Sequence, residues 1–152
     1  MIVTYQVENW FDALPEMEQL WPLHWQEIAS DRDKVPLEPN YREYAALANL
    51  GVTHVVVARH EGRMIGYHVT MVKGHIHYAS MLSGFVDMYF MHPDFRRGFA
   101  GIGLFRAAED TLRARGVRKI FTATKVTKDM SIIFRRLGYT HAENLFTKYI
   151  GD

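Results

Sequence analysis

Apolar and polar positions change period several times along the chain, and each change marks an element. Ile2 to Val7 reads as a first strand. From Asp12 to about Ser30, Leu14, Met17, Leu20, Trp21, Trp25 and Ile28 recur at helical spacing, and with Pro22 set to kink or divide the segment, two short helices fit as well as one. The polar stretch SDRDKVPLEPN is a loop, after which Tyr41, Tyr44, Ala45 and Ala48 mark one face of a helix that Gly51 closes. The period then drops to two. THVVVAR and MIGYHVTMV, separated by HEG, form a hairpin, and FVDMYFM is a third strand that ends at His92 and Pro93. Between them KGHIHYASMLSG is part strand and part loop.

Helical spacing returns with Leu104, Phe105, Ala108 and Leu112 on one face, ending at Gly116, and Glu109 is spaced to pair with Arg113 across one turn. VRKIFTAT is the next strand. Asp129 is placed to cap a short helix on which Met130, Ile133, Phe134 and Leu137 share a face and which Gly138 ends. Tyr139 to Ile150 reads as strand. Alternating strands and helices with no internal repeat predict one α/β domain over residues 1–152.

Composition narrows the class. A chain of 152 residues buries a core without disulfide or metal staples, and 48% hydrophobic with 23% charged residues is ordinary for a globular protein. No apolar run approaches the roughly 18 residues of a membrane span, and MIVTYQVENW lacks the basic-then-apolar form of a signal peptide. The absence of cysteine excludes disulfide and thiolate chemistry, and the expected compartment is the cytoplasm. A net charge of +1 gives no support to bulk electrostatic binding of nucleic acid, although basic residues gather between Arg96 and Arg136.

The stretch FMHPDFRRGFAGIGLF places Gly98, Gly101 and Gly103 at the mouth of a helix. Bare backbone there lets N–H groups approach a ligand closely, and the free donors and dipole of a helix start favour an anion, so a phosphate or pyrophosphate is expected. A phosphate-binding P-loop needs Lys and Ser or Thr after its second glycine, where this chain has Leu104 and Phe105. The dinucleotide fingerprint needs glycine at its third place, where this chain has Ala100.

The remaining arrangement is strand, proline, arginines and a Gly-x-Gly helix opening, then helix, strand and short helix. With it, DMYFMHPDFRRGFAGIGLFRAAEDTLRARGVRKIFTATKVTKDMSIIFRRLG resembles the GNAT family of N-acetyltransferases, and the likeness spans nearly the whole chain. The pieces PLHWQEIA and HIHYASMLSGFVDMYFMHP are similar to a subgroup met in bacteriophage genomes. The resemblance implies a mainly antiparallel mixed sheet with helices on both faces, acetyl-CoA as cosubstrate and an amine as acceptor. It also implies that the thioester lies in a splay between the fourth and fifth strands, with a backbone N–H from Tyr89, Phe90 or Met91 facing its carbonyl oxygen. The pyrophosphate then falls on Gly98, Phe99, Ala100, Gly101, Ile102 and Gly103.

Two departures stand out. Aligned on Gly101 and Gly103, the family's basic loop position falls on Gly98, and the arginines are displaced to Arg96 and Arg97. Phe134 stands where many members carry a tyrosine able to protonate the leaving thiolate, and is expected to pack, beside the cofactor's pantetheine arm.

An amine of lysine type has a pKa of roughly 10.4, so making it neutral at pH 7 costs about 4.6 kcal/mol and calls for a base. Asp87, inside FVDMYFM, is one candidate; a structural aspartate that hydrogen-bonds a neighbouring loop fits the same position. His77 is a second candidate, directly or as a relay, and Tyr78 beside it is expected to face substrate. His24 and Glu27 fall in the first helical region, which in the family borders the acceptor cleft; packing and solvation are the plain alternatives. His75 and His77 share a strand face, but with no cysteine and no third ligand in view no metal is expected. Oligomerisation is left open. The rival readings are a CoA-binding module that acts by protein contact and, behind it, a nucleic-acid-binding domain.

Overall fold

The computed structural model describes residues 1–152. Five strands, β1 (Thr4–Glu8), β2 (Thr53–His60), β3 (Arg63–His75), β4 (Tyr78–Met91) and β5 (Lys119–Phe121), form one sheet in sequential order. The first four run antiparallel, and β5 joins β4 in parallel. Helices α1 (Trp10–Ile28) and α2 (Tyr41–Asn49) cover one face; α3 (Ala100–Ala114) and α4 (Ser131–Arg136) lie on the other. The mixed sheet with helices on both faces is the architecture the sequence implies.

The run VVVA in β2 is continuous because both of its faces are covered. Val55 and Val57 pack with Trp10, Met17 and Tyr67 beneath α1, while Val56 and Ala58 pack with Ile65, Leu104 and Ala108 beneath α3. Each large side chain so buried contributes about 1.5–3 kcal/mol. β2 and β3 meet in a two-residue hairpin at Glu61 and Gly62, whose φ values of 49° and 80° match the right-handed twist of the flanking strands.

The structure decides one alternative and corrects four expectations. α1 is one helix with Pro15 and Pro22 inside it, because Trp10, Ala13, Met17, Leu20, Trp21 and His24 bury one continuous stripe. Tertiary packing of that stripe outweighs the backbone donors the prolines lack. β5 covers three residues rather than eight, since its parallel ladder with β4 stops at Phe121. The segment from Tyr139 onward has no strand, for no neighbour supplies a ladder, and residues 140–152 are exposed. Arg113 pairs with Asp110 at 2.7 Å rather than with Glu109. Asp129 is not the cap of α4: the N-cap is Met130, and Asp129, one residue earlier, accepts the Ser131 N–H on its carboxylate at 2.8 Å.

Candidate active site

The early end of β5 leaves one edge of β4 open. The parallel pairing covers Ser83 to Phe85, so β4 from Val86 to Met91 has no partner on that side. The N–H of His92 donates to Ile65 O at 2.7 Å. Because an antiparallel ladder alternates, the N–H of Phe90 points the same way, and those of Tyr89 and Met91 point to the open edge. The Phe90 and Met91 side chains are themselves core, 4% and 7% exposed, which leaves only their backbone for a ligand. The Tyr89 hydroxyl reaches across the gap and donates to Ala123 O at 2.8 Å.

Where β4 ends, Pro93–Phe95 make a single 3-10 turn, and Gly98 takes φ +82°, a conformation that favours glycine, to lead into α3. No side chain caps α3 and no acidic residue lies in its first turn. The N–H groups of Ala100, Gly101 and Ile102 therefore lack intrahelical partners and carry the positive end of the helix dipole. The two helix glycines differ. A Cβ on Gly101 would meet nothing within 4 Å, whereas one on Gly103 would lie 2.3 Å from the Tyr5 hydroxyl, which itself donates to Ala100 O at 3.0 Å. Gly101 thus leaves open space at the helix mouth, and Gly103 admits β1.

The two arginines also part company. Arg96 donates from Nε to Met91 O at 2.8 Å, pairs with Glu27 at 2.7 Å and lies over the Phe90 ring, so it ties the loop to α1. Glu27 is engaged in that pair. Arg97 is exposed and outside every ion pair of the protein, which leaves its guanidinium available beside the α3 N-terminus. Phe99 is 81% exposed at the same place.

On the opposite face the decisive local feature is a β-bulge. Val69 pairs with Met88 and Thr70 with Val86, so Asp87 is an extra residue in β4. The bulge lets Asp87 and Met88 both line the α1/α2 side of the sheet, where strict alternation would send one of them to α3. There the Tyr44 hydroxyl donates to Asp87 Oδ2 at 2.6 Å. Tyr44 is fixed by stacking on Trp10, with ring centroids 4.4 Å apart and planes 12° from parallel. Burial and the hydrogen bond to Asp87 both raise its phenol pKa, so Tyr44 stays protonated as donor and Asp87 acts as acceptor. Asp87 itself is exposed to the cleft.

A cavity of about 660 Å³ opens at this point between α1, α2 and the sheet, with Asp87, Tyr44, Trp21, Trp25, His24 and Met71 in its wall. His24 is 8% exposed, shares a 2.8 Å hydrogen bond with the Tyr67 hydroxyl, and burial pushes its imidazole down to about 4. It is neutral at pH 7 and a weak base.

The remaining sequence candidates lie elsewhere. His77 and Tyr78 sit at the tip of the β3–β4 hairpin, where both stack around His75. The register sets Asp87 beside Val69 and Thr70 and His77 just past His75, so at about 3.3 Å per strand residue the two are roughly 20 Å apart and a direct proton relay between them is not available. Phe134 is 8% exposed and packs edge-on against Tyr89 and Phe105 at 5.9 and 5.5 Å, on the α3 face. Tyr44 is the contact of Asp87 that the sequence reading left on a helix face: it lies 43 positions from Asp87, and helical spacing places it equally well in a core. No group of three or more His, Cys, Asp or Glu is gathered as for a metal, and no helix is long and apolar enough to cross a membrane.

Known structures share this architecture. An aminoglycoside acetyltransferase from an uncultured soil metagenomic sample superposes with a TM-score of 0.70 at 17% identity, over 99% of this chain and 95% of that one. The ribosomal-protein-alanine N-acetyltransferase of Brucella melitensis gives 0.72 at 17% identity, over 99% and 100%. A predicted acetyltransferase of Clostridium acetobutylicum, solved with acetyl-CoA, gives 0.70 at 11% identity, over 97% and 96%. At these identities the likeness establishes the fold. No curated protein sequence matches significantly. Residues 12–139 match the acetyltransferase (GNAT) family, a span that takes in most of α1, the bulge, the open edge of β4 and the α3 N-terminus. The chain belongs to the GNAT acetyltransferase family.

Proposed function

We propose that the protein transfers acetyl from acetyl-CoA to a primary amine by direct attack. The observation that carries this reading is the bulge at Asp87, which sets a carboxylate on the α1/α2 side of the same strand whose open edge bears unpaired donors. The pyrophosphate rests on the N–H groups of Ala100, Gly101 and Ile102, with Arg97 in reach. The thioester lies along the splay, its carbonyl oxygen accepting from the N–H of Tyr89 or Met91. Preorganised donors there stabilise the oxyanion that forms on attack.

The amine enters from the cavity as an ammonium and passes one proton to Asp87, directly or through water. Its lone pair forms the N–C bond as the C–S bond breaks, and the sulfur leaves as thiolate and takes up a proton. In net terms, an ammonium and acetyl-CoA give an amide, CoA thiol and one proton. A thiol pKa of roughly 8.5 makes the thiolate a workable leaving group near neutral pH, so a tyrosine at position 134 is not required. Tyr44 holds one oxygen of Asp87 and leaves the other for the proton. Glu27, His77 and Tyr78 take no part in this reading, and Arg96 positions the loop through Met91 and Glu27.

Two measurements on the intact protein test it. Acetyl-CoA should raise the melting temperature without added metal, by mass action on the native state, and a mixed pool of primary amines should release CoA thiol. No thermal shift at millimolar acetyl-CoA removes the cofactor site, and binding without thiol release leaves a CoA-binding module.

A further inference from the structure

The sheet face that carries the cavity continues past its helices. α1 and α2 pack on β2 and β3, and the alternation that sets Tyr67, Val69 and Met71 beneath them carries on to Lys73. Met71 pairs with Phe85 and Lys73 with Ser83; across the parallel ladder Phe85 meets Phe121 and Ser83 meets Lys119. The result is a surface of rings and cations that no helix covers. Phe85 and Phe121 lie within 6° of parallel at 5.0 Å, and His75 packs against both at 5.7 and 5.6 Å. Tyr78 follows at 4.9 Å from His75 and is 58% exposed. The exposed Lys73 and Lys119 amines lie over the Phe85 and Phe121 rings at 5.2 and 5.1 Å and enter no ion pair. Charge at this end of the sheet has one sign. No Asp or Glu occurs from Arg63 to Val86 or from Thr111 to Lys128, the stretches that build it, although the whole chain carries a net charge of only +1. The first acid met along β4 is Asp87, at the cavity.

We propose that this end of the sheet binds single-stranded nucleic acid: bases stack on Tyr78 and the rings behind it, and Lys73 and Lys119, on their flexible stems, take phosphates. This is a second function, independent of acetyl transfer and of the cofactor site. Two cations that no carboxylate neutralises, set among aromatic faces, suit a polyanion that itself carries flat rings. Every base has a π-face, so such a platform tolerates sequence. It meets bases and phosphates rather than sugars, so DNA and RNA strands bind alike. A duplex hides its base faces and meets the cations alone. An acidic peptide pairs with the lysines and leaves the rings to water. An anionic membrane needs apolar anchors as well as charge, and the hairpin tip offers one aliphatic side chain, Ile76.

The test is fluorescence anisotropy of a labelled oligothymidylate of about 12 nucleotides, within the span of one stacking site, titrated with the intact protein at several salt concentrations. Binding should weaken as salt rises. Lys73→Gln/Lys119→Gln should make the slope of log affinity against log salt shallower by about 1.4, the value of two phosphate contacts on a single strand. Tyr78→Leu keeps the hairpin tip apolar, removes the ring, and should weaken binding at least about fivefold with the slope unchanged. Because these side chains are exposed, melting temperature should stay the same in both variants. An oligouridylate should compete as well as unlabelled oligothymidylate; a duplex of the same length, phosphatidylserine vesicles and polyglutamate should compete poorly. Saturating CoA should not displace the strand. No anisotropy change at about 100 µM protein in low salt overturns the proposal. So does an unchanged slope in the lysine variant or wild-type affinity in Tyr78→Leu. Stronger competition by duplex, vesicles or polyglutamate also overturns it and assigns the face to that partner, and displacement by CoA moves the strand to the cofactor site. The wild-type competition and the lysine variant decide the matter even if Tyr78→Leu fails to fold. Loss of acetyl-CoA binding or of thiol release leaves this binding untouched, so the two readings fail separately.

Discussion

The two faces of the sheet solve opposite problems with opposite materials. Beneath α3 the polar side chains are closed on one another: His54 bonds Thr111 at 2.9 Å, His68 bonds Thr70 at 3.2 Å, and both imidazoles are buried. What that face offers a ligand is backbone, at the uncapped start of α3 and along the open edge of β4. Beneath α1 and α2 the reverse holds. The backbone is spent in the sheet, and the cavity presents a carboxylate on a bulge and a phenol that holds it.

The difference teaches which features tolerate sequence change. Backbone donors need only the right turn and helix start, so structures 11–17% identical to this chain keep the same frame. The displaced arginines illustrate it: Arg96 serves as a structural clasp without closing the anion site. Side-chain recognition has no such tolerance, and the cavity wall is where this chain states its own preference.

The largest effect that would break the comparison is at Asp87. Asp87→Asn keeps shape and the capacity to accept from Tyr44 while removing proton acceptance, so turnover should fall roughly 10²- to 10⁴-fold at neutral pH. Acetyl-CoA affinity should stay unchanged, because the proposed cofactor site is backbone on the other face. Raising the pH should recover part of the rate as more of the acceptor is already neutral. A pH–rate profile with wild-type rates, or a parallel loss of cofactor affinity, would show that the faces do not divide the labour in this way.

The second effect sharpens the contrast through stability. Burial pushes His54 down to about 4, with the Arg115 charge adding to it, and His68 down to about 3. With folded values below the unfolded value of about 6.5, the unfolded chain binds more protons, so stability falls as pH drops below 6.5 and the loss is complete once pH passes the folded values. Linkage makes this about 2 kcal/mol per histidine at pH 5. Melting temperature measured from pH 7 to 4 should fall before most carboxylates titrate, and His54→Gln should flatten the fall. A flat profile above pH 5 would mean that these imidazoles are not closed off.

How much of this was legible in the sequence follows the same division. The order of elements, the helix mouth at Gly98 to Gly103 and the core stripe of Leu104, Phe105, Ala108 and Leu112 are local patterns, and periodicity reports them. The continuity of α1 through Pro22 was not legible, because it depends on a buried stripe supplied by the sheet. The bulge at Asp87 is a register relation between two strands, and FVDMYFM reads as plain alternation without it. Tyr44 looks like any aromatic at helical spacing until β4 is placed beside it.

The glycines give a smaller, paired test. Gly101→Val adds bulk to open space at the helix mouth, so the fold should keep its melting temperature while acetyl-CoA affinity drops about tenfold through crowding of the pyrophosphate. Gly103→Val drives a Cβ into Tyr5 and should cost about 1–3 kcal/mol of stability as the core repacks. Affinity is then a secondary casualty. Measuring both quantities on both variants separates a backbone site from a packing site two residues away, and the opposite assignment would relocate the anion to the β1 side of the helix.

The smallest effect is expected at Phe134, where the family's usual acid is missing. The ring is enclosed by Tyr89, Phe105 and Tyr139, with centroids 5.5 to 5.9 Å away, so it fills space on the α3 face rather than facing the acceptor cavity. Phe134→Tyr adds a hydroxyl to that packing. If the leaving thiolate needs no protein acid, turnover should stay within a few fold of wild type at pH 7, because the new group only has to find room and a partner. Solvent pH then offers the finer measurement. An acid that matters would extend the active range upward, since a tyrosine with a pKa of roughly 10 remains protonated where bulk acid is scarce. A gain of tenfold or more in Phe134→Tyr, growing with pH, would show that thiolate departure limits the wild-type protein and that the α3 face supplies a side-chain role as well as backbone.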